Sequence, residues 1–474
     1  MRAFWTGRHL RRAAAADVAA AAAPAADGVR DRAAEIAAAA RAPAPGRPAS
    51  PTDPGAVVAP APLVVGRLSL AEERRNLTIL WIGAYLTSAS WSLVIPFLPI
   101  YLRQLGVPSA HLSTWTGIAF SATFVTAVVC SPIWGAWADA VGRKPNLLRS
   151  GVAITVVMLG LGNASAPWVV VVWRLLNGAL SGFIPASFAL VAATVPEKRI
   201  GRSLGVLQSG PAAGAITGPL IGGLLVQLWG IHWTFYLAAA AQLTATVLVY
   251  ALVREPEPPR RGLRLDVLGD LRAAVRNPLL VAVLATTVLV QLAVTIVEPL
   301  ITIYVGEFPG VSAVPLLAGL LFSLVGVASV LCSPAWGRWG ERLGYRRIVL
   351  LGLIGAGVGN ALQLLAGSLW AFGGVRLGIG AAYAGATTGL NTLAAVSVED
   401  AFRGRAYGIL TSSQQVGNLC GPLIGGFWGD AFGIRSSFGL SAAVFAAALV
   451  CIALVGRGAA TPTPARPGSP GPGP

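Results

Sequence analysis

Glu298 is the residue whose setting most constrains its chemistry. It closes the run Leu292-Ala-Val-Thr-Ile-Val-Glu298-Pro299, and no other carboxylate in the chain sits as far inside an apolar stretch. Removal from water penalises the charged form of a carboxyl, so a Glu in such a run suits reversible proton carriage. The competing reading is a Glu near the end of the stretch, paired with an Arg or facing water. Pro299, Tyr304 and Glu307 follow closely and leave its depth open. Arg174, in Arg174-x-x-Asn177-Gly178, and Arg376 also lie in apolar stretches, where a cation must face a cavity or a partner. Trp91, Gln208, Gln291, Asn391 and Gln415 join Glu298 as polar or aromatic groups inside such stretches. They are candidates for a binding cavity, with helix packing as the competing role for each except Glu298.

The elements that must position these groups are duplicated. Cys130-Ser-Pro-Ile-Trp-Gly135-Ala-Trp-Ala-Asp139-Ala-Val-Gly142-Arg143-Lys144 returns as Cys332-Ser-Pro-Ala-Trp-Gly337-Arg-Trp-Gly-Glu341-Arg-Leu-Gly344-Tyr345-Arg346. Trp168 and Arg174 return as Trp370 and Arg376. The run Gly214-x-x-x-Gly218-Pro219-Leu-Ile-Gly222-Gly223 returns as Gly417-x-x-x-Gly421-Pro422-Leu-Ile-Gly425-Gly426. Registered landmarks across most of the chain predict two related halves.

Composition places those halves in lipid. Of 474 residues, 55% are hydrophobic and 11% charged, too few charges to cover a water-exposed surface. Twelve apolar stretches have about the length that a bilayer core requires. They lie near 77–102, 113–137, 147–165, 168–192, 203–228, 232–253, 278–305, 313–337, 348–366, 369–395, 405–428 and 437–455. The net charge of +16 forms no single patch of the kind that binds nucleic acid. It is dispersed over alternate loops: Arg143, Lys144 and Arg149; Lys198, Arg199 and Arg202; Arg254, Arg260, Arg261 and Arg264; Arg338, Arg342, Arg346 and Arg347; Arg403 and Arg405. The excess of basic residues puts these loops and both termini in the cytoplasm.

The domain reading follows. Residues 1–70 form a disordered Ala/Arg/Pro-rich tail and 71–253 a first six-helix bundle. Residues 254–277 form a charged linker, 278–456 a second bundle, and 457–474 a Pro/Gly-rich tail. No phosphate loop, zinc motif or nucleophile elbow is present, which argues against an enzyme, and the four cysteines lack metal-ligand spacing. No cofactor and no metal are expected.

Gly135, Asp139, Gly142, Arg143 and Lys144 reproduce the Gly-x-x-x-Asp-x-x-Gly-Arg-Lys motif between helices 2 and 3 of the major facilitator superfamily, which this chain resembles. The resemblance covers about residues 74–455 and implies an all-α membrane protein with twelve transmembrane helices in two pseudo-symmetric six-helix bundles. It implies that Asp139, with Arg143, locks the outward-facing state against helix 11. Gly337, Glu341, Gly344 and Arg346 form the weaker second copy, which has Tyr345 where the first has Arg143. Gly214, Gly218, Pro219, Gly222 and Gly223 resemble the antiporter motif of the superfamily's drug:proton exporters, expected to pack helix 5 against helix 8. Arg174-x-x-Asn177-Gly178 resembles its Arg-x-x-Gln-Gly motif, which the family associates with proton coupling. Helix 1 lacks the acid that many such exporters carry.

The expectation is export of small amphipathic, multidrug-type compounds by proton antiport and alternating access. Glu298, Arg174 and Asp139 are the proton-coupling candidates. The partners are substrate, protons and lipid, the setting is a bacterial inner membrane, and the working unit is a monomer. A proton-coupled importer of a sugar or metabolite and, further off, a non-transporting sensor remain the alternatives.

Overall fold

The structure, a computed structural model, describes residues 68–255, 272, 274–399 and 403–455. The N-terminal tail over 1–67, linker residues 256–271 (with Arg260, Arg261 and Arg264) and the segment from 456 onward lie outside the described residues.

Helix starts are set by local chemistry. Ser69 opens the first helix with a capping box: the Glu72 amide donates to Ser69 Oγ at 3.3 Å, and the Ser69 amide donates to the Glu72 carboxylate at 3.0 Å. At the start of the second half, Asn277 Oδ1 accepts from the Leu279 and Leu280 amides at 3.1 Å. Pro278 takes the first helical position, where a missing N–H costs nothing. Twelve helical segments follow in order among the described residues. They are α1 Leu70–Gln104, α2 Ser109–Val141, α3 Arg143–Gly162, α4 Pro167–Thr194, α5 Glu197–Trp229 and α6 Ile231–Leu252. The second half has α7 Pro278–Val305, α8 Val314–Leu343, α9 Tyr345–Gln363, α10 Leu369–Val396, α11 Arg403–Phe432 and α12 Ile434–Val455. Nine are long and apolar enough to cross a membrane; α9, α10 and α11 have the length with a more polar composition.

Packing repeats between the halves. In the first, α1 lies against α5 and α6, α2 against α4, and α3 against α6. In the second, α7 lies against α11 and α12, α8 against α10, and α9 against α10 and α12. Two extensive pairings cross between halves, α2 with α11 and α5 with α8. The duplication reaches into the breaks. Pro96 and Pro299, 203 residues apart, each interrupt a helix with a short 3₁₀ turn, Ile95–Phe97 in α1 and Glu298–Leu300 in α7. Glu298 heads the second of these turns.

The expected span at 168–192 is not one helix. The α4 segment stops at Leu180 and resumes at Phe183, with Gly182 at φ +143, whereas its counterpart α10 is continuous. The expected spans at 113–137 and 313–337 run on to Val141 and Leu343, because single glycines in left-handed backbone, Gly142 and Gly344, make the turns into the next helices.

Candidate functional site

Between the halves, glycines of α2, α5, α8 and α11 differ in their surroundings at the two ends of the helices. At one end they are jammed. A methyl group at Gly117 in α2 would overlap the Pro422 carbonyl oxygen of α11, and one at Gly319 in α8 would overlap the Pro219 carbonyl oxygen of α5. These two contacts are equivalent under the duplication and form two seams between the halves. An added methyl group at Gly426 would lie 2.5 Å from the Ser113 carbonyl oxygen, and one at Gly223 would lie 2.6 Å from that of Pro315. Thr302 Oγ1 of α7 donates across the same end to the Pro96 carbonyl of α1. At the other end, which carries the basic turns at Gly142 and Gly344, a methyl group at Gly135, Gly201, Gly205, Gly337 or Gly408 would meet open space. The same four helices are thus sealed at one face and parted at the basic face.

The antiporter-like run is split between two partners. Gly214 and Gly218 pack on α1, where added methyl groups would lie 2.5 Å from the Tyr85 carbonyl and 2.6 Å from Ser92 Cβ; Gly222 packs on Leu93 of the same helix. Pro219 and Gly223, one position further round α5, form the seam with α8. Glycines four apart make one face, so most of this run serves packing within the first half rather than the expected α5–α8 contact.

At the basic face, Asp139 lies 4.0 Å from Arg143, its i+4 neighbour. Arg143 Nη1 donates to the Ala189 carbonyl at 2.9 Å, and Lys144 Nζ donates to the carbonyls of Tyr250 at 2.9 Å and Val253 at 2.7 Å. These partners belong to the first half, as fits a face that is parted. Arg346 repeats the arrangement in the second half by donating to the Ala453 carbonyl at 2.9 Å, and Glu341 is exposed. The carboxylate at the start of α3 is Glu255, which accepts from the Arg143 and Lys144 amides at 2.8 and 2.7 Å.

A cavity of about 670 Å³ lies between α1, α2, α3, α4 and α11. Trp91 and Gln415 are in its wall, with Phe124, Met158, Asn177 and the broken turn Ser181–Gly182. None of its lining residues is charged. Arg174 stands directly behind it, 1% exposed. Its guanidinium donates to the Ala119 and Phe120 carbonyls at 2.9 and 3.4 Å and lies 4.7 Å from the Trp91 ring centre. Arg376 repeats the pose more loosely, 3.4 Å from the Leu321 carbonyl and 6.0 Å from the Phe322 ring.

Gln208, Gln291, Glu298 and Asn391 are not in this wall. Gln208 is exposed on α5 and Asn391 half-buried in α10. Gln291 connects to the wall through a chain of amides: its Nε2 donates to Asn418 Oδ1 at 2.7 Å, and Asn418 Nδ2 donates to Gln415 Oε1 at 3.1 Å. Tyr383 Oη donates to Gln291 Oε1 at 3.4 Å. Glu298 is half-buried within electrostatic reach of Arg376 and Tyr383, yet forms no ion pair within 4.0 Å among the described residues.

Sequence reasoning missed the residue that sustains the break in α4. Arg149 of α3 donates to the Leu180 carbonyl at 3.1 Å and the Ser181 carbonyl at 3.5 Å. It also donates to Asn146 Oδ1 and stacks 3.4 Å over the Trp134 ring. Its counterpart by the repeat is Leu351, and α10 has no break to cap. A basic residue at a helix start reads as loop charge until α4 is seen to end beside it. Arg149→Ala is expected to lower stability by about 2–3 kcal/mol through the lost cap and stacking, read as a lower melting temperature of the purified protein. Arg149→Lys should recover less than half of that, because Lys lacks the planar fork.

Comparisons with known proteins agree with this construction. The family model described as Major Facilitator Superfamily matches residues 80–316 and 310–473. The multidrug resistance protein MdtG of Salmonella arizonae is 36% identical over 374 residues, covering 78% of this chain and 93% of that protein. MdtG of Citrobacter koseri is also 36% identical, with 92% of it covered. Among solved structures, a bacterial homologue of the human lysosomal transporter Spinster, inward-facing and occupied, superposes with a TM-score of 0.70 at 16% identity over 82% of this chain and 98% of that one. The nucleoside transporter NupG gives 0.69 at 14% identity, over 80% and 99%. Two related halves, two equivalent seams and a family match across both halves lead to one conclusion: the chain belongs to the Major Facilitator Superfamily of membrane transporters.

Proposed function

We propose that this chain exports small amphipathic compounds in exchange for protons, by alternating access. The observation that carries the reading is the division along α2, α5, α8 and α11, jammed at one face and parted at the basic face. With the basic face in the cytoplasm, as its arginines favour, this is an inward-open state. Reversal would close Gly135, Asp139 and their second-half counterparts and open the seams at Gly117 and Gly319. An uncharged, partly aromatic cavity suits amphipathic substrates, and the relatives carry the name multidrug resistance protein. The setting is a bacterial inner membrane with both termini cytoplasmic, and a monomer holds the whole pathway.

Glu298 is the proposed proton site. Neutralising it favours substrate release outside, and ionising it inside restores the binding state. In proteoliposomes with an imposed pH gradient, Glu298→Gln is expected to reduce gradient-driven drug flux at least ~30-fold while substrate binding persists. Unimpaired flux in the mutant would move the proton site elsewhere, Asp139 first. No gradient-driven movement of any cationic or neutral drug by the native protein would overturn the exporter reading.

A further inference from the structure

The α2 helix starts without a cap of its own. His111 precedes its regular part and makes no side-chain capping bond. The amides of a first helical turn have no partner within the helix and must find one elsewhere. Two of them find it 316 and 317 residues away, on the other half. The Ser113 amide donates to Asp430 Oδ1 at 3.1 Å, and the Thr114 amide donates to Asp430 Oδ2 at 2.8 Å. One carboxylate therefore spans two successive amides at the positive end of a helix dipole, where an anionic acceptor binds best. The contact lies on the sealed face. Gly426 and Gly429, on the last turns of α11 before Asp430, lie against Ser113.

The equivalent seam lacks this device. Gln227 stands at the position related to Asp430, and the start of α8 has Pro315, which has no amide hydrogen to offer. The asymmetry argues against simple inheritance from the duplication. It gives the α2–α11 pair a carboxylate at the far end of each helix, Asp139 closing α2 at the basic face and Asp430 closing α11 at the sealed face.

We propose that Asp430 is a gating residue: it latches the outer face shut by capping α2 across the two halves, and its release is a required step in opening to the outside. This rests on the alternating-access reading. The latch costs nothing in the outward-open state, where α2 and α11 part and the carboxylate and amides regain water, so it biases the equilibrium toward the inward-open form.

The test is hydrogen–deuterium exchange on the full chain in lipid nanodiscs, comparing native protein with Asp430→Asn, Asp430→Glu and Gly319→Ala. Asp430→Asn keeps the shape and loses the charge. It is expected to speed exchange about tenfold in residues 109–118 and 425–432 and to slow it in residues 133–141 and 405–410, at the opposite face. Asp430→Glu should fall between native and Asn. A cap that only steadies its own helix would change the outer segments alone, and that result overturns the latch. Gly319→Ala opens the other seam without touching Asp430 and separates the two possible failures. If it shifts both faces while Asp430→Asn shifts neither or only the outer one, the latch alone is wrong. If no variant moves the basic face, the latch falls together with alternating access.

Discussion

Combining Gly117→Ala with Gly319→Ala is expected to lower the maximal transport rate at least ~100-fold while the protein remains folded in the membrane. Each added methyl group falls on a proline carbonyl of the facing helix, Pro422 in one seam and Pro219 in the other. Backbone is the obstacle in both cases, so no rotamer change relieves the overlap. Overpacking of this kind costs about 1–3 kcal/mol per site, and the two sites share no partner, so roughly 2–6 kcal/mol falls on the conformation described above, which is inward-open on the proposed reading. Under the proposed alternating access this state is visited in every cycle and then becomes rare, and each single variant should show an intermediate loss. The cost lies in one conformation rather than in the fold, so membrane insertion persists. Gly374→Ala, where a methyl group meets open space, should change the rate less than about twofold. Initial rates in proteoliposomes, normalised to inserted protein, check all four.

Arg174→Ala should cost about 2–4 kcal/mol of stability and abolish detectable transport. The side chain is the largest of those almost wholly excluded from solvent, and it holds three things at once: two carbonyls of α2 and the face of Trp91. Its backbone carbonyl also accepts from Thr123 Oγ1 at 3.0 Å, so α2, α4 and α1 meet at this residue. Truncation leaves a void beside the cavity wall and frees the Trp91 indole. Arg376→Ala should cost about half as much, because its carbonyl contact and its aromatic contact are both longer than those of Arg174. Melting curves of the two variants and substrate titrations monitored by tryptophan fluorescence separate stability from binding.

Much of this architecture was legible in the sequence because lipid leaves the chain few choices. The lengths of the apolar stretches, the repeat at 202–203 residues and the basic loops predict the helix count and the two halves. The repeat also related Arg174 to Arg376, and the two adopt the same pose against Phe120 and Phe322. What stayed hidden depends on partners distant in sequence. Ser181-Gly182 reads as two more small residues in an apolar run, and only Arg149, arriving from α3, shows why the helix can stop there. Asp430 reads as a loop charge, since nothing near it in sequence mentions α2. The depth of Glu298 was open for a similar reason. Pro299 marks a break, but the break sets the carboxylate near Arg376 only once α7 and α10 are assembled.

The two seams have a meaning for the ancestry of the chain. Each joins a Gly-Pro turn on one half to a glycine on the other, and the roles are exchanged between them, as in a two-fold dimer. A half-length precursor carrying both patches needs only a second copy of itself to shut the same face. Joining the copies into one polypeptide released each from having to match the other. Three positions record what followed: Glu298 opposite Ile95, Asp430 opposite Gln227, and Arg149 opposite Leu351. At these positions the second copy carries the two acids and the first carries the broken, arginine-capped helix, a division that no symmetric assembly could have made.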